Sequence, residues 1–169
     1  VKYLSIFAFS EENWGRPEEE VSSLMGLMLK AITDEIDSLA AKGVKFRVLG
    51  NTSRLAPELL AAIHEAEEKT EPAPGKEPLL TLIVFFSYSG KWDILQAAKR
   101  MAKEYSDRPD ALDSVGIGDF SHYLVTDGIP DPDLIIRTSG EERISNYLIW
   151  QAAYSEFLFV DTPWPDFRR

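Results

Sequence analysis

Two kinds of apolar pattern alternate along this chain. Some stretches are apolar almost without interruption; in others the apolar residues return every three or four positions. Val1 to Phe9 is of the first kind, β-branched and aromatic, as expected for a strand covered on both faces. From Pro17 the second kind takes over, with Val21, Leu24, Met25, Met28, Ile32, Ile36 and Leu39 at helical steps. Pro17 suits a first turn, Glu18, Glu19 and Glu20 favour its positive end, and Lys42-Gly43 is the stop signal. Val44 to Leu49 predicts a second strand. Pro57 to about Lys69 predicts a second helix with Leu59, Leu60, Ile63 and Ala66 on one face. The breaker-rich segment Glu71 to Pro78 is a loop. Leu79 to Phe86 is the most apolar strand, and a third helix follows from about Trp92 to Tyr105. Ser106 to Ser114 is loop, Asp119 to Val125 a short helix and Leu134 to Ile136 a short strand. Ser145 to about Ser155 reads as a helix, and Phe157 to Val160 as a last strand.

Continuously apolar strands that alternate with helices predict an α/β fold, a mostly parallel sheet with helices on both faces and right-handed crossovers. The 169 residues suit one domain spanning 1–169, and no repeat or second domain is visible. The opening on a strand without an initiator Met, and the close on Trp164-Pro165-Asp166-Phe167-Arg168-Arg169, fit a piece of a longer chain.

Composition removes several functions. No cysteine is present, so disulfides, thiolate metal sites and a Cys nucleophile are excluded. Two histidines, His64 and His122, leave almost no room for a multi-histidine metal site. The formal charge of −10 offers no basic stripe, so no nucleic-acid partner is expected. No apolar run is long enough to span a membrane and no signal peptide is seen, so a cytoplasmic location is expected.

In parallel α/β sheets ligands sit beyond the carboxyl ends of the strands. Three loops there carry unusual chemistry. Ser10-Glu11-Glu12-Asn13-Trp14-Gly15-Arg16 combines hydroxyl, amide, indole and guanidinium. It is either a capping loop under a Trp14 lid or a site for an anion with an apolar part. Ser87-Tyr88-Ser89-Gly90-Lys91-Trp92-Asp93 is a small strand-to-helix turn. It either presents backbone N–H groups to a phosphate or is an ordinary turn in which Asp93 caps the third helix. The third, Arg137-Thr138-Ser139-Gly140-Glu141-Glu142-Arg143-Ile144-Ser145-Asn146, places two arginines and three hydroxyls around a glycine. Arginine's donor fork matches phosphate oxygens, although Ser145 also suits a helix N-cap. Asp34-Glu35-Ile36-Asp37 reads as the solvated face of a helix, His64 as a surface residue, and Met25 and Met28 as core.

Two of these loops carry a family likeness. Ala8-Phe9-Ser10-Glu11-Glu12-Asn13-Trp14-Gly15-Arg16-Pro17 resembles the Ala-Phe-Ser-x-Glu-Asn-Trp-x-Arg-Pro signature of the cis-prenyltransferases. Arg137 to Gln151 is similar to that family's Arg-Thr-(Ser/Gly)-Gly-Glu-x-Arg-(Ile/Leu)-Ser-Asn-(Phe/Tyr)-Leu-x-Trp-Gln, and Tyr154-Ser155-Glu156 and Trp164-Pro165-Asp166-Phe167 continue in register. The resemblance implies an undecaprenyl diphosphate synthase-like fold with a hydrophobic tunnel. It implies a transferase of isoprenoid biosynthesis that condenses isopentenyl diphosphate onto an allylic diphosphate, commonly farnesyl diphosphate, with cis stereochemistry. The product would be a long-chain polyprenyl diphosphate, a lipid carrier and cell wall precursor. Mg²⁺, a homodimer and transient membrane association for product release come with it.

Carried over position by position, the resemblance makes Asn13, with Ser10 and Trp14, catalytic, Asn13 assisting proton removal. Arg16 and Glu20 would contact substrate or flank the tunnel, Arg137, Arg143 and Ser145 would hold isopentenyl diphosphate, and Glu156 would help place Mg²⁺.

Departures exist. The family's Asn-Tyr-Gly-Gly-Arg-Trp-Asp turn is Ser87 to Asp93 here, with Lys91 in place of arginine. Neither the family's Met-Asp-Gly-Asn-Gly-Arg-Trp loop nor its Arg-x-Gly tail occurs in these residues, so the 169 residues alone are expected to be inactive. Two alternatives are a non-catalytic partner subunit of a heteromeric cis-prenyltransferase and a Rossmann-like module for another phosphorylated ligand. The partner subunit should have lost the two motifs that are intact here. Trans-prenyltransferases are helical with Asp-rich pairs, and this chain has neither feature.

Overall fold

The computed structural model describes residues 1–167, which fall into two compact units that meet in sequence after Tyr88. The first holds β1 (Tyr3–Ser10), α1 (Glu18–Ala41), β2 (Val44–Leu49), α2 (Pro57–Thr70) and β3 (Leu80–Tyr88). Its sheet is three-stranded in the order β1-β3-β2, and both pairings are parallel. The alternating side chains of the strands decide which face meets the helices. Phe9, Phe46, Val48, Val84 and Phe86 share one core with Val21 and Ile32 of α1 and with Leu59, Ile63 and Ala66 of α2. Met25 and Met28 pack against this core, as their helical spacing predicts. β3, the central strand, is buried on both parities: Ile83 and Phe85 are as inaccessible as Phe86.

β1 differs from expectation. Its composition predicts cover on both faces, yet Tyr3 and Leu4 are 42% and 46% exposed and only Phe9 is buried along the strand. α1 and α2 pack chiefly against β2, at the other edge of this sheet, and leave most of β1 without helical cover, which composition does not encode. The edge at β2 is tied down by side chains of α2. The Phe46 N–H donates to Thr70 Oγ1 (3.0 Å) and the Val48 N–H to Glu67 Oε1 (2.9 Å). α1 stops where a left-handed residue is needed, at Gly43 with φ 70°.

The second unit holds α3 (Gly90–Glu104), α4 (Ile117–Ser121), β4 (Leu134–Arg137) and β5 (Glu156–Phe159). β4 and β5 pair in parallel as a two-stranded sheet, from Leu134 opposite Glu156 to Arg137 opposite Phe159. α4 starts earlier and is shorter than predicted, because Gly116 begins it and the Asp119 carboxylate turns back to accept the Gly116 N–H (2.8 Å).

The predicted helix from Ser145 to Ser155 is not formed; the segment is a series of turns. Ser145, Asn146 and Leu148 sit at φ 49°, 62° and 46°, outside helical space. The physical cause is competition from side chains. Asn146 and Gln151 use their amides on α3 and on Thr126 rather than leaving the backbone to bond itself.

Among the described residues no helix is long and apolar enough to cross a membrane. The fold class is nevertheless as predicted: α/β, with every strand pairing parallel.

Candidate functional site

The loop after β1 folds into a 3-10 turn, Glu11–Gly15, and draws three of the predicted residues together. The Ser10 N–H donates to Asn13 Oδ1 at 2.9 Å, so the Asn13 amide oxygen closes the turn. Trp14 is half-buried. Its ring meets Phe9 edge to face with centroids 5.3 Å apart, and the Arg54 guanidinium lies over it, 4.3 Å from the centroid. The Trp14 indole N–H donates to Ser87 Oγ (2.8 Å), and the Ser87 hydroxyl donates to Glu11 Oε1 (2.6 Å). Ser87 is fully buried and left-handed, with φ 53°. Arg16 and Glu20 pair with each other across one turn at the start of α1, each side chain about half exposed (48% and 47%). Arg54 and the Ser87–Glu11 bond carry no sequence signal. Arg54 lies in a short turn after β2, and only the three-dimensional path sets it over Trp14.

The turn after β3 does not match the reading of it as an open phosphate cradle. Ser89 is the N-cap of α3, its hydroxyl accepting the Trp92 N–H at 3.4 Å. The Gly90 N–H donates to the Asn146 carbonyl (2.7 Å) and the Lys91 N–H to Asn146 Oδ1 (3.0 Å). Asn146 Nδ2 in turn donates to Ser89 Oγ (2.5 Å). One asparagine thus occupies the donors that an anion would need. Gly90 permits this approach, since a Cβ there would lie 2.9 Å from the Ile149 side chain. Asp93 is not the cap either. It is 1% exposed and accepts from the Val125 N–H (2.9 Å) and from Gln151 Nε2 (3.4 Å), while Gln151 also donates to Thr126 Oγ1 (2.9 Å). Asp93 and Gln151 are far apart along the chain, so this buried polar network has no local sequence signal.

The third loop leaves the carboxyl end of β4 at Arg137. Ser139 and Gly140, both at φ 69°, turn the chain, and their N–H groups donate to the carbonyls of Thr162 and Val160, each at 3.0 Å. Those two N–H groups are thus occupied within the chain. Arg143 is 65% exposed and ion-paired with Glu141, and Ser145 is exposed. Arg137, Arg143 and Ser145 share one segment, and Glu156 lies on the neighbouring strand. It is opposite Leu134, three residues back from Arg137, an offset of about 10 Å along the strand. All five non-glycine residues with positive φ among the described residues, Ser87, Ser139, Ser145, Asn146 and Leu148, fall in the second and third loops or just beyond. Strain of this kind collects where a site constrains the backbone.

No group of three or more His, Asp or Glu among the described residues is arranged to hold a metal ion. Glu156 is a single exposed hard carboxylate. That donor set fits Mg²⁺ only as an ion carried largely by substrate phosphates, the way Mg²⁺ is ordinarily held beside nucleotides. Elsewhere, the Asp127 carboxylate bonded to His122 Nδ1 (2.7 Å) raises the imidazole pKa above its usual value. Glu104 accepts from the Tyr123 phenol and pushes it up to about 12.

The family model for undecaprenyl diphosphate synthase, of the prenyltransferases, matches residues 1–169. A ditrans,polycis-undecaprenyl-diphosphate synthase ((2E,6E)-farnesyl-diphosphate specific) from Haemophilus influenzae is 42% identical over 169 residues, all of this chain and 69% of that protein. An isoprenyl transferase from Rhizobium meliloti is 45% identical over 172 residues, covering 100% of this chain and 67% of its own. The chain thus spans about two thirds of the length of these relatives. The crystal structure of lavandulyl diphosphate synthase from Lavandula x intermedia, in complex with dimethylallyl diphosphate, superposes with a TM-score of 0.90 at 32% identity. It covers 100% of this chain and 72% of that one.

Proposed function

This chain belongs to the undecaprenyl diphosphate synthase family of prenyltransferases, and on that premise we propose the reaction that its residues serve. The protein containing these residues transfers the prenyl group of an allylic diphosphate, farnesyl diphosphate by preference, to isopentenyl diphosphate. The allylic C–O bond breaks and its electron pair leaves with diphosphate. A C–C bond forms to the terminal alkene carbon of isopentenyl diphosphate, which leaves positive charge on its methyl-bearing carbon. A proton then leaves the CH₂ on the diphosphate side of that carbon, and its C–H electron pair forms the cis double bond. Repetition yields a long-chain polyprenyl diphosphate.

The observation that carries this reading is the loop after β4. Arg137 and Arg143 flank a backbone bent through Ser139 and Gly140, at the carboxyl end of a parallel strand. There the two guanidinium forks and the Ser145 hydroxyl hold the diphosphate of isopentenyl diphosphate. The Glu141 carboxylate sits on Arg143 meanwhile, and an exposed pair of this kind is worth about 0–1 kcal/mol, so a dianionic ligand displaces it readily. Trp14 walls the prenyl chain, Asn13, in one turn with Ser10, assists proton removal, and Arg16 and Glu20 bound the substrate at the start of α1.

A divalent ion, Mg²⁺ with Glu156 as its one carboxylate here, would supply charge neutralisation to the diphosphate. Residues 1–169 would form part of one prenyltransferase domain in a cytoplasmic homodimer that releases product at the membrane. The 169 residues, which do not contain the family's Met-Asp-Gly-Asn-Gly-Arg-Trp loop, are expected to be inactive by themselves.

The test is an assay of the protein encoded by the complete gene with farnesyl diphosphate, labelled isopentenyl diphosphate and Mg²⁺. Labelled long-chain lipid is expected. Arg143→Ala should raise KM for isopentenyl diphosphate by about 10- to 100-fold, the loss of one charge-assisted contact. No lipid product, or an unchanged KM, overturns the reading.

A further inference from the structure

We propose that Ser87 and Arg54 are positioning residues for the Trp14 indole, Ser87 acting as a two-way hydroxyl bridge to Glu11. The proposal rests on the reading above in one respect only, that Trp14 walls the prenyl site.

An indole N–H can only donate, so a Trp14 held in one orientation needs a fixed acceptor. Ser87 Oγ is that acceptor at 2.8 Å. Its own proton must then go elsewhere, and Glu11 Oε1 takes it at 2.6 Å. The carboxylate fixes the direction of the hydroxyl and leaves its lone pairs for Trp14. The ring is fixed on two further sides. Phe9 meets it edge to face at 5.3 Å, and Arg54 covers it at 4.3 Å. Hydrogen bond, aromatic contact and cation together leave the indole one orientation.

The backbone at Ser87 shows how tightly this is set. A serine at φ 53° is strained, and Ser87 is fully buried. Its carbonyl also accepts the Asn51 N–H (2.8 Å), and Gly50 lies so close that a Cβ there would overlap the Phe86 carbonyl oxygen. The β2 turn that carries Arg54 is therefore bolted to the same residue that holds Trp14. Asparagine is the residue in the family's version of this turn. Asparagine tolerates the left-handed region and carries an amide oxygen able to accept from an indole N–H, so it is the substitution that can replace the Ser87 hydroxyl at this φ.

The experiment uses the protein encoded by the complete gene, labelled with 5-fluorotryptophan, in which the Trp14 ¹⁹F resonance is assigned through Trp14→Phe. Ser87→Gly deletes the hydroxyl where glycine is free of strain, so the fold is retained. The Trp14 resonance should shift by more than its linewidth, and Ser87→Asn should bring it back. Arg54→Ala should shift the same resonance and leave the other tryptophan resonances in place. In the protein encoded by the complete gene, Ser87→Gly should weaken farnesyl diphosphate binding about fivefold, the worth of one hydrogen bond, and Ser87→Asn should restore it. A Trp14 resonance unmoved in Ser87→Gly overturns the proposal, as does a shift that Ser87→Asn fails to reverse or a moved indole with unchanged binding. If farnesyl diphosphate does not bind the wild-type protein at all, the proposed function fails, while the ligand-free spectra still decide the role of Ser87.

Discussion

Replacing Asn146 by alanine should unlatch the start of α3. Three bonds meet at this residue: Gly90 N–H to its carbonyl, Lys91 N–H to Oδ1, and Nδ2 to Ser89 Oγ. Asn146→Ala keeps the first and deletes the other two. Losing the acceptor for the Lys91 N–H leaves a donor of the first turn of α3 unpaired, typically about 1 kcal/mol. Losing the bond to Ser89 costs about 1 kcal/mol more. Alanine also fits φ 62° less well than asparagine, so the total is about 2–3 kcal/mol. For a chain of this size that is a fall in Tm of about 5–10 °C, read in the transition of the C-terminal unit by circular dichroism and urea unfolding. Asn146→Asp is the control. Its carboxylate still accepts from the Lys91 N–H, sits at the positive end of α3, and accepts a hydrogen bond from the Ser89 hydroxyl. Its stability should lie within about 0.5 kcal/mol of the parent. The reasoning is refuted if alanine costs less than about 0.5 kcal/mol, or if aspartate and alanine are equally damaging.

Glu141→Gln removes the carboxylate that competes for Arg143. Inorganic diphosphate should then bind up to about fivefold more tightly by calorimetry, since an exposed pair is worth at most about 1 kcal/mol, and no change would remove Glu141 from the site. Asp127→Asn should return the His122 pKa toward 6.5 in an NMR titration. The sign follows from the raised folded value: the stabilisation His122 supplies is complete below pH 6.5 and disappears as pH rises through the folded pKa, so the variant should lose that pH dependence. Gly50→Ala should cost about 2–5 kcal/mol in the unfolding of the N-terminal unit, because φ 149° is closed to alanine and its Cβ would overlap the Phe86 carbonyl oxygen. Wild-type stability would place the β2 turn elsewhere.

The elements most legible in the sequence were those whose pattern and punctuation agree. α1 runs from the turn after Pro17 to the Lys42-Gly43 stop, and β2 spans the predicted residues, because apolar period, caps and breakers all act within a few residues of one another. The Ser145–Ser155 segment shows the opposite case. Its apolar spacing predicts a helix, but Asn146 and Gln151 find partners on residues more than twenty positions away, and those bonds outcompete a weak local preference.

The loops divide in the same way. Arg137, Arg143 and Ser145 lie on one short segment, so spacing alone puts them on one loop. Arg54, Ser87 and Glu11 are distant in sequence and reach Trp14 only because β1, β2 and β3 run parallel and end at the same side of one sheet. Sequence by itself determined the α/β class, the family and the residue types at the site, since these depend on local periodicity and contiguous motifs. Tertiary structure alone decided which strand lies at a sheet edge, that Asn146 fills the start of α3, that Glu156 pairs opposite Leu134, and which side chains hold the indole. Each of those depends on a register or a hydrogen bond between residues that are far apart along the chain.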